Sequence, residues 1–138
     1  MKVVVTGGAG FIGSNLTDEL ARDHEVTVID NLSTGRIENL DHIRDRIQFI
    51  NGSILDLELL RRAFAGADTV FHQAAIPSVQ RSVDNPIASN QANVDGTLNV
   101  LVAAKDSRVR KVVFASSSSV YGDTPTLPKK EDMKPNPK

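Results

Sequence analysis

The chain has 138 residues, with 16 Lys and Arg against 17 Asp and Glu, a formal net charge of −1 and 40% hydrophobic residues; this suits one globular domain and excludes a disordered or fibrous chain. Near-neutral charge with 4% aromatic residues gives no basic stripe or stacking platform for nucleic acid, and the lack of Cys removes disulfides, thiolate nucleophiles and Cys-type zinc sites. No apolar run approaches the roughly 18–20 residues of a membrane span and no signal peptide opens the chain, so a soluble cytoplasmic protein without a membrane partner is expected.

In chain order, Met1–Thr6 is a short β-branched run closed by Gly7-Gly8, which suits a strand buried on both faces, as in a parallel sheet. From Phe11 to Arg22 the apolar residues Ile12, Leu16 and Leu20 recur every four positions and predict one buried helical face. Glu25–Ile29 is a second strand ending at Asp30; Asn31–Gly35 is a polar turn, Arg36–Arg44 a short helix, and Arg46–Ile50 a weaker third strand. Leu57, Leu60 and Phe64 mark the next helix, and Thr69–His72 is a fourth strand. Pro86 opens a long helix to about Lys105. Its apolar set is broad: Ile87, Ala92, Val94, Leu98, Leu101 and Val102 on one side, Val100, Ala103 and Ala104 on another, so both the sheet and a second surface should cover it. Lys111–Ala115 is a fifth strand. After Tyr121-Gly122 the composition turns to Pro, Lys, Asp and Asn without periodicity, which separates a nucleotide-binding portion, residues 1–122, from a tail, residues 123–138. Strands alternating with helices imply right-handed βαβ units and an α/β, Rossmann-type, doubly wound parallel sheet of order 3-2-1-4-5. The ligand crevice then lies at the carboxyl ends of strands one and four.

Thr6-Gly7-Gly8-Ala9-Gly10-Phe11-Ile12-Gly13 follows a strand and opens a helix, with glycines in the spacing G-x-x-G-x-x-G. Gly7 permits the tight turn, Gly10 lets the backbone approach a pyrophosphate, and Gly13 lets helix and strand pack closely. The free amides and positive dipole end of the helix then face the phosphates. Any tight strand–helix turn uses such glycines; the strand before, the helix after and an acid at the end of the second strand point to a nucleotide. Asp30 stands close to the spacing of about 20 residues expected for a ribose-binding acid. Its carboxylate accepts from ribose hydroxyls and repels a 2′-phosphate, and Asn31 rather than a basic residue follows it, so NAD is favoured over NADP. A solvated turn aspartate is the plainer alternative.

The fifth strand runs into Ser116-Ser117-Ser118-Ser119-Val120-Tyr121-Gly122, which delivers hydroxyls to the same crevice. Together with Asp30-Asn31-Leu32-Ser33-Thr34-Gly35, Phe71-His72-Gln73-Ala74-Ala75 and Asn93-Val94-Asp95-Gly96-Thr97, these motifs resemble the extended short-chain dehydrogenase/reductase family, specifically its nucleotide-sugar 4-epimerases. Around Ile76–Arg81, Asp84–Ile87 and Thr124–Lys129 the chain looks most like members that accept UDP-N-acetylglucosamine. The resemblance implies a UDP-sugar substrate and NAD as resident cofactor. It places Gly7, Gly10, Phe11, Ile12, Gly13, Asp30, Asn31, Ser33, Thr34, Gly35 and Ser116 among the cofactor-binding residues. Gln73, Ala74, Ala75 and Pro77 would line the dinucleotide, and Asn93 would hold the ends of strands four and five beside it. Ser53-Ile54 stands where many members carry Asp-Ile beside the adenine. The catalytic hydroxyl falls on Ser117, four residues before Tyr121, hydrogen-bonding the sugar 4-oxygen; Ser78 and Ser118 are further substrate-side residues.

Related dehydratases and decarboxylases carry an acid just after that hydroxyl; here Ser118-Ser119 follows, which fits reversible oxidation at C4 better than elimination. The family's base is a Tyr-x-x-x-Lys pair on one helical face. The single tyrosine, Tyr121, has Pro125 four positions on in a stretch read as non-helical, so it is not that base. The chain is therefore expected to be the N-terminal portion of a longer enzyme, ending before the Tyr-Lys helix and substrate domain, and inactive on sugar alone. His24, His42 and His72 lack metal-ligand spacing, no metal site is expected, and His72 reads as structural. Relatives commonly dimerise through the helix matching Pro86–Lys105, which implies a homodimer. A UDP-glucuronate epimerase, another NAD-dependent sugar-nucleotide reductase or dehydratase, and a non-catalytic NAD sensor on the same fold stay open.

Overall fold

The computed structural model describes residues 1–137; Lys138, the last residue of the expected tail, lies outside the described residues. Five parallel strands form one sheet in the order β3-β2-β1-β4-β5, as the sequence predicts: β1 (Lys2–Thr6), β2 (Glu25–Asp30), β3 (Ile47–Asn51), β4 (Thr69–His72) and β5 (Lys111–Phe114). Successive side chains of a strand face opposite sides, and the valines of β1 use both. Val3 and Val5 join Val26, Val28, Leu40 and Ile43 in one core, while Val4 joins Ile29, Leu60, Phe64, Val70 and Val100 in the other. The first core is closed by α1 (Phe11–Leu20) and a 3-10 segment at Ile37–Arg46, the second by α2 (Leu57–Phe64) and α5 (Gly96–Asp106). Two crossovers thus cover one face and two the other, so the strand order reverses between β1 and β4 and a crevice opens at their carboxyl ends.

Several elements depart from the sequence expectation. α1 stops at Leu20, and its buried face is Gly13, Ser14 and Thr17, while Ile12 is 68% exposed and Leu16 and Leu20 are only partly buried. The helix lies too close to the turn before it for large side chains; a Cβ on Gly13 would sit 2.1 Å from the Gly7 carbonyl oxygen. The segment expected as a short helix at Arg36–Arg44 is the 3-10 segment, whose buried Leu40 and Ile43 stand three apart, the period of that helix.

The long helix expected over Pro86–Lys105 is interrupted. α4 (Pro86–Asn90), capped by the Asn85 side chain accepting from the Ala88 amide, passes through a π turn at Gln91–Asp95 into α5. Ahead of it lies α3 (Val79–Asp84), absent from the sequence expectation, whose cap is Ser78 accepting from the Arg81 amide. Val100, Ala103 and Ala104 pack on the sheet, whereas Ile87, Val94, Leu98 and Leu101 are exposed. No helix among the described residues is long and apolar enough to cross a membrane.

Candidate functional site

Each glycine of the first turn has a different physical reason. Gly7 has φ +73°, the left-handed region that L side chains avoid, and a Cβ there would lie 2.6 Å from the Ala74 amide nitrogen. Gly13 lets α1 sit on the turn. Gly8, which the sequence reading did not use, is required too: a Cβ on it would meet Val28 Cγ1 at 2.6 Å. Gly10 is unlike these. Its φ of −75° suits any residue, and the nearest neighbour to a Cβ is the Gly7 carbonyl oxygen at an ordinary 3.4 Å. Neither packing nor backbone conformation calls for glycine at position 10, so the cradle in front of the helix is left open to a ligand. The first-turn amides of a helix have no intrahelical partner, and no side chain caps α1. Exposed Phe11 and Ile12 flank that amide-lined end. The arrangement suits a diphosphate.

Asp30 ends β2 beside this turn and is 8% exposed. One carboxylate oxygen accepts from the Ala9 amide at 3.0 Å and the other from the Leu32 amide at 2.8 Å. A carboxylate has about four lone-pair sites, so one on each oxygen is left for a vicinal diol. The acid is a fixed element of the site, not a solvated turn residue. Leu32 takes φ 57° to deliver its amide, a left-handed conformation that costs a branched residue about 1 kcal/mol or more. The Asn31–Gly35 turn is folded onto the glycine turn: the Ala9 carbonyl accepts from the Arg36 amide (3.0 Å) and from Asn39 Nδ2 (2.8 Å), and Gly35 packs against Ala9 and Asp30. Asn31, Ser33 and Thr34 lie exposed on the rim. No sequence signal marked Ala9 or Asn39, since Ala9 acts through its main chain and the Asn39 side chain reaches it only across the turn.

The Gly52 amide donates to the Asp30 carbonyl at 3.1 Å and brings Ser53-Ile54 alongside. Ser53 Oγ accepts from the Leu55 amide, while the Ile54 side chain is buried against Gly96. The Ile54 side chain thus belongs to the core, which leaves its main chain as the part that could meet a ligand. Gln73 and Ala74 lie across Gly7, with Ala75 and Pro77 exposed beyond them. Asn93 Oδ1 accepts from the Ile76 amide (2.8 Å) and its Nδ2 donates to the Ile76 carbonyl (3.2 Å). It therefore fixes the loop at the end of β4, one of the two strand ends it is expected to hold.

His72 is buried between Thr6 and Thr97, with Nδ1 2.7 Å from Thr6 Oγ1 and Nε2 3.0 Å from Thr97 Oγ1. Burial pushes its pKa below the ordinary histidine value. Among the described residues no His, Asp and Glu group has the makings of a metal site.

β5 pairs with β4, its register setting Phe114 against His72, and the Ala115 amide continues the ladder to the His72 carbonyl at 3.1 Å. Ser116 and Ser117 therefore emerge beside the end of β4, both exposed. Ser117 Oγ donates to Ser119 Oγ (3.1 Å) and accepts from the Ser119 amide, capping a 3-10 turn at Ser118–Tyr121; Tyr121 ends that turn, and residues 122–125 are not helical, as the sequence predicts. Ser118 and Ser119 line an open cavity of about 500 Å³ with Gly122, Asp123, Leu127 and Lys129. The tail returns over it, the Asn136 amide donating to the Val120 carbonyl at 2.8 Å. Ser78 faces α3 as its cap.

Comparisons with known proteins give the family to which this fold belongs. A family model described as the NAD dependent epimerase/dehydratase family matches residues 3–138. The chain is 46% identical to the UDP-glucose 4-epimerase of Mycolicibacterium smegmatis over 99% of its own length and 45% of that protein's. It is also 40% identical to UDP-glucuronic acid decarboxylase 1 of Danio rerio, covering 95% of this chain and 31% of that protein. Among solved structures, the UDP-N-acetylglucosamine 4-epimerase of Methanobrevibacter ruminantium in complex with UDP-N-acetylmuramic acid superposes with a TM-score of 0.89 at 44% identity, over 99% of this chain and 44% of that one. The Thermus thermophilus UDP-glucose 4-epimerase in complex with NAD gives 0.88 at 42% identity, over 99% and 45%. The chain thus spans less than half the length of these relatives.

Proposed function

Because this chain belongs to the NAD dependent epimerase/dehydratase family, we propose that it serves a nucleotide-sugar 4-epimerase acting on UDP-glucose and UDP-galactose or their N-acetyl forms. NAD is the cofactor of the family, and it supplies a reversible hydride acceptor for oxidation of the sugar at C4. The amides of Phe11, Ile12 and Gly13 and the open face of Gly10 hold the diphosphate, and the free lone pairs of Asp30 take the ribose hydroxyls. Ser117 orients the sugar 4-oxygen and stabilises the charge that builds on it.

The observation that carries epimerisation is the exposed serine turn after β5, where Ser117 is followed by Ser118-Ser119 and no acid stands next to it. Elimination needs a general acid and base at that place. The relatives named for UDP-glucose and UDP-N-acetylglucosamine support the substrate class. Tyr121 has Pro125 four positions on and is the single tyrosine, so this sequence holds no Tyr-x-x-x-Lys base. On this reading the 138-residue chain alone binds NAD without turning over sugar. Exposed Ile87, Val94, Leu98 and Leu101 support pairing with a second copy along α4 and α5.

The test uses a polypeptide of the relatives' length that carries this sequence. Given NAD and UDP-N-acetylglucosamine or UDP-glucose, it is expected to form the C4 epimer, and Ser117→Ala to lower kcat by about 10²-fold. Loss of carbon dioxide from UDP-glucuronate would instead favour the chemistry of the decarboxylase relative, and NAD binding with no product from any of these sugars would favour a sensor.

A further inference from the structure

We propose that His72 is a positioning residue for the cofactor crevice: a one-directional hydrogen-bond chain runs through its imidazole and pins both ends of the Ala74–Ile76 strip against the glycine turn. The proposal rests on the reading of that crevice as the NAD site.

The direction of the chain is fixed at every link. A carbonyl only accepts, so the Thr97 hydroxyl gives its proton to the Asn93 carbonyl at 2.8 Å, and its oxygen must receive His72 Nε2–H at 3.0 Å. A neutral imidazole protonated at Nε2 offers Nδ1 as an acceptor, which takes the Thr6 hydroxyl proton at 2.7 Å. The Thr6 oxygen in turn faces the Ala74 amide at 3.4 Å, a group that only donates. At the far end the Asn93 side chain grips both the amide and the carbonyl of Ile76. The chain therefore leaves the strip at Ala74 and returns to it at Ile76.

Two features make this more than filling of the core. Gly7 leaves no slack, since even a Cβ would lie 2.6 Å from the Ala74 amide nitrogen, so any drift of the strip is felt by the turn that faces the diphosphate. The π turn supplies the second: its additional residue lets Asn93 face Ile76 while Gly96 still packs on Ile54, where a Cβ would come within 2.4 Å of Ile54 Cδ1. A proton on Nδ1 would set a donor against Thr6 Oγ1 and strand the hydroxyl proton of Thr6. The ring is 2% exposed and packs on Phe114 with centroids 5.7 Å apart, and this burial favours the neutral form.

Calorimetric titration of NAD into the chain and two variants is the test. Thr97→Val keeps the shape of the side chain and removes the hydroxyl linking His72 to Asn93; about tenfold weaker NAD binding is expected, with Thr97→Ser within about twofold of the parent. Parental NAD affinity in Thr97→Val, whatever its melting temperature, overturns the proposal. Long-range ¹H–¹⁵N spectra of the parent chain test the same idea should the variant fail to fold. A His72 ring protonated at Nε2 and bare at Nδ1 at pH 7 supports it, and an Nδ1–H or doubly protonated ring overturns it. A parent chain with the expected tautomer but no NAD uptake refutes the cofactor reading instead, and the positioning role falls with it while the hydrogen-bond chain stands.

Discussion

Replacing Gly10 by Ala separates what the fold needs from what the ligand needs. Without ligand the substitution is mild, because φ −75° accepts Ala and the new methyl meets the Gly7 carbonyl oxygen at 3.4 Å. Restricting the unfolded chain stabilises by about 0.4–1 kcal/mol, and loss of a favourable N-cap residue offsets a similar amount. The net change is expected within about 1 kcal/mol, a few degrees in melting temperature. For the cofactor the methyl stands in front of the amide-lined end of α1 and pushes the diphosphate away. Loss of one charge-assisted hydrogen bond costs about 1.5–3 kcal/mol, or roughly 10- to 150-fold in affinity. Thermal melts and calorimetric NAD titrations on the same samples measure both quantities. Parental affinity in Gly10→Ala would refute the placing of the diphosphate, and a stability loss of several kcal/mol would refute the claim that the fold has no use for glycine there.

The remaining predictions concern stability. Gly13→Ala sets a Cβ 2.1 Å from main-chain oxygen, which no rotamer relieves, and is expected to cost about 3 kcal/mol or more in a denaturant melt. Arg108 holds φ 56° just past α5, where the Val109 amide returns to the Ala104 carbonyl at 2.8 Å; Arg108→Gly is expected to raise the urea midpoint by about 1 kcal/mol equivalent. His72 has its folded pKa held below the unfolded value near 6.5 by burial. The unfolded state therefore binds more protons between those two values, so stability is full above about pH 6.5 and falls as pH drops toward the folded pKa, with a slope of at most about 1.4 kcal/mol per pH unit from this group. Melting temperature followed from pH 7.5 to 5 checks this, and a profile unaltered by His72→Asn would contradict it.

Much of this architecture is legible in the sequence because its signals are local. Val3-Val4-Val5 needs a sheet buried on both faces, and Asp30 falls at the end of β2 because strand and acid are adjacent in the chain. What escapes is set by tertiary approach. Apolar periodicity selects Ile12, Leu16 and Leu20 for the buried face of α1, yet close packing on the turn selects Gly13, Ser14 and Thr17 instead. Thr17 Oγ1 meets its own need by donating to the Gly13 carbonyl at 2.8 Å. The π turn is invisible for a related reason: Gln91–Asp95 reads as ordinary helix, and its extra residue follows from Asn93 reaching Ile76 and Gly96 meeting Ile54. Thr6, His72 and Thr97 stand in motifs that the sequence makes plain, but their link depends on strands β1 and β4 being neighbours.

The central claim is that a dinucleotide lies across the ends of β1, β2 and β4. An amide-resolved NMR titration of this chain with NAD addresses it most directly. Saturable shifts concentrated at Gly10–Gly13, at Leu32 beside Asp30, and at Ala74–Ile76 are the predicted result. Saturation with shifts confined to other surfaces, or no response at millimolar NAD, would contradict it.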